Sequence, residues 1–364
     1  EQSQGLGFSN LIYLHMRLEE FYKSVDDSKV NVFFIEEPES HMHPQMQNVF
    51  IRFLTKYYTE KKLQGLITTH SNEIARSVGL NSLRVIRQTE KSKSELFNLS
   101  KFRKSIENKK VKNVDKESEF LLQNFFDWFF EIGYSELIFA DKVILYEGDT
   151  ERLYIRKLLG MTEFASLRDN YIAFIQVGGA YAHNYLEILT MLKMKSLIIT
   201  DLDYNKDATT FEIAKNSTST NATINHCYRL IYPEKGAAYL PSIKEIYEMQ
   251  TEKGTVICND LICVAYQDEN STARTLEEAM LNKFLSKNVF DKTKRSEWKS
   301  IRKNNNLTFT IPNNRNDETD SEFSIRQIVA ASSNNKTDFM YSVVLSGNEE
   351  KMLPDYIRKG LLWL

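Results

Sequence analysis

Three features are scarce or missing in this sequence of 364 residues, and each excludes a class of protein. There are only three cysteines (Cys227, Cys258 and Cys263), and their spacing matches no zinc motif, so we expect a reduced, cytoplasmic setting. No apolar run approaches the roughly 18 residues that span a membrane, and no signal-peptide pattern is visible, so no membrane partner is expected. The formal net charge is only -2, so any nucleic-acid site must be a local basic patch.

A fourth absence concerns nucleotide binding. The pattern G-x-x-x-x-G-K-[ST], which marks the loop whose backbone amides hold phosphates, occurs nowhere in the chain. The sequence also opens without a methionine, as Glu1-Gln2-Ser3. We therefore expect this chain to be part of a longer protein and to be unable to hold ATP by itself.

What the sequence does contain is two short apolar runs that end abruptly in carboxylates. Residues 143–146 lead into Glu147, and residues 197–200 lead into Asp201 and Asp203. The pattern is typical of buried parallel strands, whose carboxyl ends lie at the edge of a sheet where ligands bind. If the two strands are neighbours, Glu147, Asp201 and Asp203 converge at that edge.

A fourth carboxylate, Glu151, would join this group from the first turn of the following helix, for which Asp149 is the expected N-cap. So many carboxylates cannot all stay ionised at close quarters without a cation, because like charges raise one another's pKa. Ligands that are all oxygen suit Mg²⁺ or Mn²⁺ better than zinc. The sequence therefore predicts a magnesium or manganese site.

The fold predicted around these residues is α/β. Strands are expected at residues 143–146, 173–177 and 197–200, with helices from about 150 and over about 183–194 between them. With right-handed crossovers this βαβαβ order makes a small parallel sheet. The polar stretches 204–224 and 303–320 are interpreted as long loops or insertions around that sheet, and the N-x-[ST] patterns at Asn216 and Asn221 as loop signals only.

Residues 1–87 also alternate helix and strand. Strands are expected at residues 30–35, 65–71 and 83–86, and a helix is expected to begin at Pro44, because proline suits the first helical position. Glu36 and Glu37 follow the first of these strands, and His70 lies near the end of the second. Each could be an ordinary solvated side chain at the end of a strand, but their order and spacing favour a shared function.

This first part of the chain resembles the C-terminal half of an ABC-type ATPase of the SMC/Rad50 kind. Phe33-Phe34-Ile35-Glu36-Glu37-Pro38-Glu39 is similar to a Walker B strand and D-loop, Thr68-Thr69-His70-Ser71 to the switch histidine, and Ser3-Gln4-Gly5-Leu6-Gly7-Phe8 loosely to the signature motif. The resemblance implies ATP and magnesium contacts at Ser3, Gly5, Glu36, Glu37 and His70. Glu36 would serve the magnesium ion, Glu37 would orient the attacking water, and His70 would lie near the γ-phosphate.

A basic stretch separates the two halves of the chain. It runs from about residue 101 to 116 and includes Lys109 and Lys110. A lysine-rich run is most often a solvated surface, but here it is also the best candidate for contact with a DNA backbone.

The second half resembles a TOPRIM domain, on Tyr146-Glu147-Gly148-Asp149-Thr150-Glu151 followed by Thr200-Asp201-Leu202-Asp203. Joined to an ABC-type half, it resembles the OLD (overcoming lysogenization defect) family of ATPase–TOPRIM nucleases, which includes the Gabija nuclease subunit and some retron effectors. Arg274-Thr275-Leu276-Glu277 and Lys336-Thr337-Asp338-Phe339 extend the resemblance.

The resemblance implies a DNA endonuclease or nickase with two metal ions. Glu147 and Glu151 would hold one ion, with Asp201 bridging the two ions or near the first, and Asp203 and Glu277 would serve the other, with Lys336 steadying the transition state. The adjacent Glu278 is an alternative to Glu277, and Lys336 could equally be a surface lysine.

The predicted organisation is a C-terminal part of an ABC-type ATPase domain at 1–90, a connector at 91–136 and a TOPRIM nuclease domain at 137–364. The resemblance also implies a homodimer or higher homo-oligomer, a role in phage defence and a possible helicase-like or retron partner. Two rival functions remain open. One is a topoisomerase-like TOPRIM protein that rejoins strands, and the other is a non-catalytic, ATP-gated DNA sensor or scaffold with a vestigial acidic site.

Overall fold

The computed structural model describes residues 5–26, 28–102, 104, 134–178, 180–204, 211–252, 256–257, 260–269, 273–285, 295–312 and 325–364. The chain divides into two compact units, Glu1–Phe139 and Ala140–Leu364. Both mix helices with strands, which confirms the α/β class. The finer division at residues 90, 91, 136 and 137 stays a prediction.

The described part of the first unit includes three helices and four strands, with short 3-10 helices at Leu80–Ser82 and Tyr134–Phe139, and residues 99–102 are also helical. They follow the order α1 (Leu6–Lys23), β1 (Val32–Glu36), α2 (Pro44–Lys61), β2 (Gln64–Thr68), α3 (Asn72–Val78), β3 (Arg84–Glu90) and β4 (Lys93–Asn98).

Strands β1 and β2 are parallel, in the register Val32↔Gln64 to Glu36↔Thr68. Helix α2 begins at Pro44 as expected. Its apolar face, which includes Phe50 and Leu54, is buried in the core of this unit. The carboxyl ends of β1 and β2 therefore lie side by side, where the ATPase-like motifs follow them.

The structure of residues 84–98 differs from the prediction. Residues 83–86 were expected to be a single strand before the connector, but β3 and β4 form an antiparallel hairpin of their own. The turn residue Ser92 has a φ of 65°, in the left-handed region where glycine or asparagine usually marks a turn. Because serine carries no such signal, the pattern missed the hairpin.

The second unit contains ten α-helices and five strands in its described part. They are β5 (Lys142–Tyr146), α4 (Asp149–Leu158), β6 (Ile172–Gln176), α5 (Leu186–Met191), β7 (Lys195–Ile199), α6 (Phe211–Asn216), α7 (Ala222–Ile231), α8 (Ile243–Glu252), β8 (Val256–Ile257), β9 (Ile262–Ala265), α9 (Leu276–Leu285), α10 (Arg295–Asn304), α11 (Ile325–Ala331), α12 (Lys336–Leu345) and α13 (Asp355–Trp363). Short 3-10 helices lie at Thr162–Leu167, Ala182–Tyr185, Pro233–Lys235 and Ser333–Asn335.

The five strands form one sheet in the order β6-β5-β7-β9-β8. The first four run parallel, and only the edge strand β8 is antiparallel to its neighbour. Strand β9 is buried throughout and β5 and β7 nearly so, as expected of strands covered on both faces. Helix α13 packs closely on this sheet, because a Cβ at Gly360 would lie 2.8 Å from Leu197 Cδ1.

The stretches expected to be loops are partly helical. Residues 211–216 form α6 and residues from 222 form α7, so the segment 204–224 is no simple loop. Residues 303 and 304 likewise end α10. The expected helix at 183–194 is a 3-10 turn followed by the shorter α5. No helix in the described part of the chain is both long and apolar enough to cross a bilayer.

Candidate functional site

The two carboxylate-bearing strands are neighbours, as the sequence suggested. Strand β5 pairs with β7 in the register Lys142↔Lys195 to Leu145↔Ile198. Their carboxyl ends therefore bring Glu147 close to Asp201, whose backbone N–H donates to Glu147 Oε1 at 3.2 Å.

Glu151 joins this edge from the first turn of α4, but the helix begins differently from the prediction. Gly148, and not Asp149, is the N-cap residue, and Asp149 is the first helical residue. Glu151 Oε2 accepts from the backbone N–H of Gly148 at 3.0 Å and from the Thr150 hydroxyl at 3.1 Å. The helix start thus holds Glu151 back against the end of β5.

Helix α9 adds a fourth carboxylate. The backbone N–H of Leu276 donates to Asp201 Oδ1 at 2.9 Å, which fixes the first turn of the helix on the end of β7. Glu277 is only 4% exposed and pairs with Lys336 Nζ at 3.2 Å. Glu278 instead accepts from the Arg274 backbone N–H at 3.0 Å. Of the two adjacent glutamates, Glu277 is therefore the one that contacts Lys336.

Asp203 lies at the same edge but is tied to a different partner. Its carboxylate pairs with Arg274 Nη2 at 2.9 Å, and its backbone has a φ of 50°. The arginine also donates to the Tyr204 carbonyl at 2.6 Å, so it closes the turn that follows β7.

The electrostatics of the group follow from burial and crowding. Burial raises the pKa of Asp201 well above its usual value, and Glu277, Glu151 and Glu147 raise it further. Burial likewise raises the pKa of Glu151 to about 7. Burial raises the pKa of Glu147 too, although hydrogen bonds from Thr200 and Asp201 oppose the shift. These negative charges therefore lie close enough together to disfavour one another.

Lys336 is the cation that faces them. Burial alone would lower the pKa of Lys336, but the charges of Glu277, Asp201 and Glu151 outweigh it and raise the pKa above the usual value. Lys336 therefore stays charged and offsets part of the carboxylate repulsion.

Three of the carboxylates share one pattern of hydrogen bonding, in which the protein's donors reach only one oxygen. Glu147 uses Oε1, Glu151 uses Oε2 and Asp201 uses Oδ1, which accepts from Gln267 Nε2 at 2.7 Å as well as from Leu276. Their second oxygens accept no hydrogen bond from any residue that the structure describes. Such half-used carboxylates fit a hard divalent cation, since Mg²⁺ and Mn²⁺ prefer oxygen ligands.

The donors fit a cation, but they do not form a finished cage. Within the described ranges, no group of three or more His, Cys, Asp or Glu side chains is arranged to hold a metal ion. Asp203 and Glu277 are each engaged by a cationic side chain. The free oxygens of Glu147, Glu151 and Asp201 therefore suit a divalent cation, whereas Arg274 and Lys336 engage Asp203 and Glu277.

Sequence reasoning missed three residues around these carboxylates. Thr200 ends the apolar run of β7, Asn221 lies in an apparent glycosylation pattern, and Gln267 follows β9. All three donate to Glu147 or Asp201. Only the N-x-[ST] pattern marked Asn221 at all, and nothing in the sequence marked Gln267.

The ATPase-like residues of the first unit also lie together where the structure describes them. His70 Nε2 lies 3.4 Å from Glu37 Oε1, and Glu37 has a φ of 42°. The backbone N–H of Glu37 donates to the Thr68 carbonyl at 3.0 Å, so the ends of β1 and β2 position this pair. Glu36 is the last residue of β1 and is exposed.

Other candidates are described only in part. Gly5 is the N-cap of α1. A Cβ on nearby Gly7 would lie 2.6 Å from the His41 carbonyl, so the start of α1 abuts the loop after β1. Ser3, Lys109 and Lys110 lie outside the described residues.

Comparison with known proteins gives two domain matches. Residues 1–75 match the family described as AAA ATPase domain, and residues 138–203 match the family described as overcoming lysogenization defect protein-like, TOPRIM domain.

Similar curated proteins are nucleases. The chain is 28% identical to "Endonuclease GajA" of Bacillus cereus (strain HuB5-5), over 100% of this chain and 53% of that protein. It is also 28% identical to "OLD nuclease" of Thermus scotoductus (strain ATCC 700910 / SA-01), over 37% of this chain and 24% of that protein. The chain thus spans about half the length of the first relative and about a quarter of the second.

Among solved structures, the C-terminal region of the Burkholderia pseudomallei OLD protein is 17% identical, with a TM-score of 0.35, over 62% of this chain and 97% of that one. The two domain matches occur in the predicted order and include the motifs of both halves. The chain is thus similar to an AAA ATPase domain in its first part and to the TOPRIM domain of OLD-like proteins in its second, and its curated relatives are named as nucleases.

Proposed function

We propose that the chain is part of an endonuclease that cuts or nicks DNA with divalent metal ions at the edge of its five-stranded sheet. The observation that carries this proposal is the convergence of Glu147, Glu151, Asp201 and Glu277, with Lys336 close to the last three. A stable fold gains nothing from such crowding, since buried like charges repel one another. The cluster is therefore better explained by ligand binding than by folding.

We assign the metal ligands as follows. Glu147, Glu151 and Asp201 hold one ion through the oxygens that the protein leaves free. Asp203 and Glu277 serve a second ion once their contacts with Arg274 and Lys336 open. Bound Mg²⁺ or Mn²⁺ would activate the attacking water and stabilise the leaving oxygen of a phosphodiester.

Lys336 has a separate role in the proposal. Its ammonium group lies beside Glu277 and its side chain is partly exposed, so it can reach a phosphate at the mouth of the site. A positive charge held there would stabilise the negative charge that develops on phosphate oxygens in the transition state. The burial of Glu277 keeps the lysine oriented while no substrate is bound.

The AAA ATPase segment suggests that nucleotide controls access to this site. In the proposal, Glu36, Glu37 and His70 act on ATP and magnesium in a protein that also contains a phosphate-binding loop. The whole protein would act on DNA as a homodimer or higher homo-oligomer in phage defence, with a helicase-like or retron partner. The names of the relatives, endonuclease and OLD nuclease, support the DNA-cutting part of this assignment.

A plasmid assay tests the central claim. Full-length protein is incubated with supercoiled plasmid in Mg²⁺, in Mn²⁺ and in EDTA, and nicked and linear products are measured. We expect cutting with either ion, none in EDTA and none from Asp201→Asn, which weakens a metal ligand with little change in volume. The control is Asp149→Asn, an exposed aspartate in the first turn of α4. DNA binding without cutting in all conditions would overturn the proposal and support the scaffold function.

A further inference from the structure

The side chain of Asn221 connects an inserted helix to the proposed metal centre. It is fully buried and is the N-cap of α7, where its Oδ1 accepts from the Ile224 backbone N–H at 3.0 Å. This contact fixes which end of the amide is oxygen, because a flipped amide would place two donors against each other. The Nδ2 group therefore points the other way, towards the end of β7.

There the amide meets the acidic edge of the sheet. Asn221 Nδ2 donates to Thr200 Oγ1 at 2.7 Å and to the Asp201 carbonyl at 2.8 Å, and Glu147 Oε1 lies 3.4 Å away. The Thr200 hydroxyl, having accepted from Asn221, donates its own hydrogen to Glu147 Oε1. Thr200 is only 3% exposed, so water does not compete strongly for this hydroxyl.

These hydrogen bonds determine which oxygen of Glu147 is free. Glu147 Oε1 receives the Thr200 hydroxyl and the Asp201 backbone N–H, while Oε2 receives no donor from the described residues. The carboxylate is thus held by one oxygen and presents the other. Partners of this kind commonly orient metal ligands, and their loss typically costs about 10- to 100-fold in metal affinity or activity.

The segment before Asn221 reinforces the connection. Ser219 Oγ donates to the Leu202 carbonyl at 2.7 Å, and the Thr220 backbone N–H donates to the Asp203 carbonyl at 3.0 Å. Residues 219–221 therefore lie against the turn of residues 201–203 and are hydrogen-bonded to its backbone carbonyls.

We propose that Asn221 and Thr200 are positioning residues that orient Glu147 towards the cation, with Asn221 coupling helix α7 to the metal centre. This inference rests on the proposed function, since it assumes that Glu147 binds a divalent ion. Neither residue touches the substrate. They hydrogen-bond to Glu147 Oε1, so that the Glu147 carboxylate is already oriented when the cation binds.

The test measures Mn²⁺ affinity of the full chain by electron paramagnetic resonance of free Mn²⁺, without DNA. Thr200→Val removes the hydroxyl with little change in shape, and Thr200→Ser restores it. Asn221→Ser keeps an oxygen able to cap α7 but loses the amide donors. We expect affinity to fall about 10- to 100-fold in Thr200→Val and Asn221→Ser and to recover in Thr200→Ser.

The matched control is Thr223→Val. Thr223 is fully buried in the first turn of α7, and its hydroxyl donates to the Ala180 carbonyl at 2.8 Å and not to Glu147. We expect Thr223→Val to lower thermal stability about as much as Thr200→Val while leaving Mn²⁺ affinity unchanged. Equal loss of affinity in both valine variants would mean that the effect is only structural, and the inference would fail.

The outcomes also separate this inference from the proposed function. If the wild type binds Mn²⁺ and both Thr200→Val and Asn221→Ser bind it equally well, the positioning role is wrong and the nuclease proposal stands. If the wild type neither binds Mn²⁺ nor nicks plasmid, the proposed function fails and the inference fails with it.

Discussion

Lys336 Nζ lies 3.2 Å from each oxygen of the Glu277 carboxylate, although the two residues are 59 positions apart in the chain. The glutamate is 4% exposed, whereas the lysine side chain keeps 42% of its accessible surface. Glu277 therefore holds the Lys336 side chain in place, while the exposed part of that side chain is accessible to a ligand.

This arrangement predicts a specific kinetic defect for Lys336→Met. Loss of an oriented charge should lower single-turnover cleavage about 10²- to 10³-fold, or roughly 2 to 4 kcal/mol, with DNA affinity little changed. The control is Lys283→Met on α9, since Lys283 pairs with Asp355 at 2.8 Å in a half-exposed contact. Unchanged single-turnover cleavage in Lys336→Met would make Lys336 a surface lysine.

The basic stretch should behave differently. We expect Lys109→Ala and Lys110→Ala to weaken DNA binding modestly and to flatten its dependence on salt, because backbone contacts release counterions. Cleavage at saturating DNA should stay near the wild-type rate. The measurement is DNA affinity at two salt concentrations. Equal affinity and equal salt dependence in the variants would assign these lysines to the solvated surface.

The ATPase-like pair gives a third prediction. This chain alone should neither bind nor hydrolyse ATP appreciably, because it contains no phosphate-binding loop. In a protein that includes such a loop, Glu37→Gln should slow hydrolysis and leave ATP binding largely intact, since Glu37 contacts His70 at the ends of β1 and β2. Glu60→Gln on α2, an exposed position, is the control. Micromolar ATP affinity of the chain alone would contradict the prediction.

The fourth prediction concerns stability and pH. Burial alone would raise the pKa of Glu245, but hydrogen bonds from Tyr239 and Ser242 outweigh it and lower the pKa to about 2. Ser242 and Glu245 form a capping box at the start of α8, with the Ser242 backbone N–H donating to Glu245 Oε2 at 2.9 Å. The ionised carboxylate therefore stabilises the folded chain.

Because the pKa is lower in the folded than in the unfolded chain, this stabilisation is complete above the ordinary value of 4.5 and is lost as the pH falls towards 2. Glu245→Gln should cost about 1 kcal/mol of unfolding free energy at pH 7, and the difference from wild type should shrink below pH 4.5. Urea unfolding at several pH values measures it. Glu248→Gln, exposed on the same helix, should show no such trend.

Much of the sheet around the site could be predicted because its signal is local. The run before Glu147 and the run before Asp201 are apolar throughout and stop at carboxylates, so the sequence alone placed both strands to within two residues. Their pairing was only a condition of the prediction, because β6 lies between them in the chain, and the structure shows that the two strands are neighbours. The convergence of Glu147 and Asp201 follows from that pairing.

The residues around the carboxylates could not be predicted, because their roles depend on where distant segments return. Asn221 meets Glu147 across 74 positions, and Gln267 meets Asp201 across 66. Asp203 was expected to serve a metal ion, which stays a prediction, and the structure shows that Arg274 reaches it from 71 positions away. Periodic patterns in a sequence reveal only local helices and strands, so they cannot identify hydrogen-bond partners that are this far apart in the chain.

The same separations bear on how the protein is synthesised. Translation completes β5 and β7 first, but Lys336 comes much later, and α13, which packs on β7 and β9, comes later still. A nascent chain therefore contains Glu147, Glu151 and Asp201 before it contains Lys336, whose charge offsets their repulsion. It also lacks helix α13, which covers part of the sheet. Because Glu277 and Lys336 lie late in the chain, the acidic centre can be complete only once residue 336 has been synthesised, and a product that ends before it would lack the lysine that faces the carboxylates.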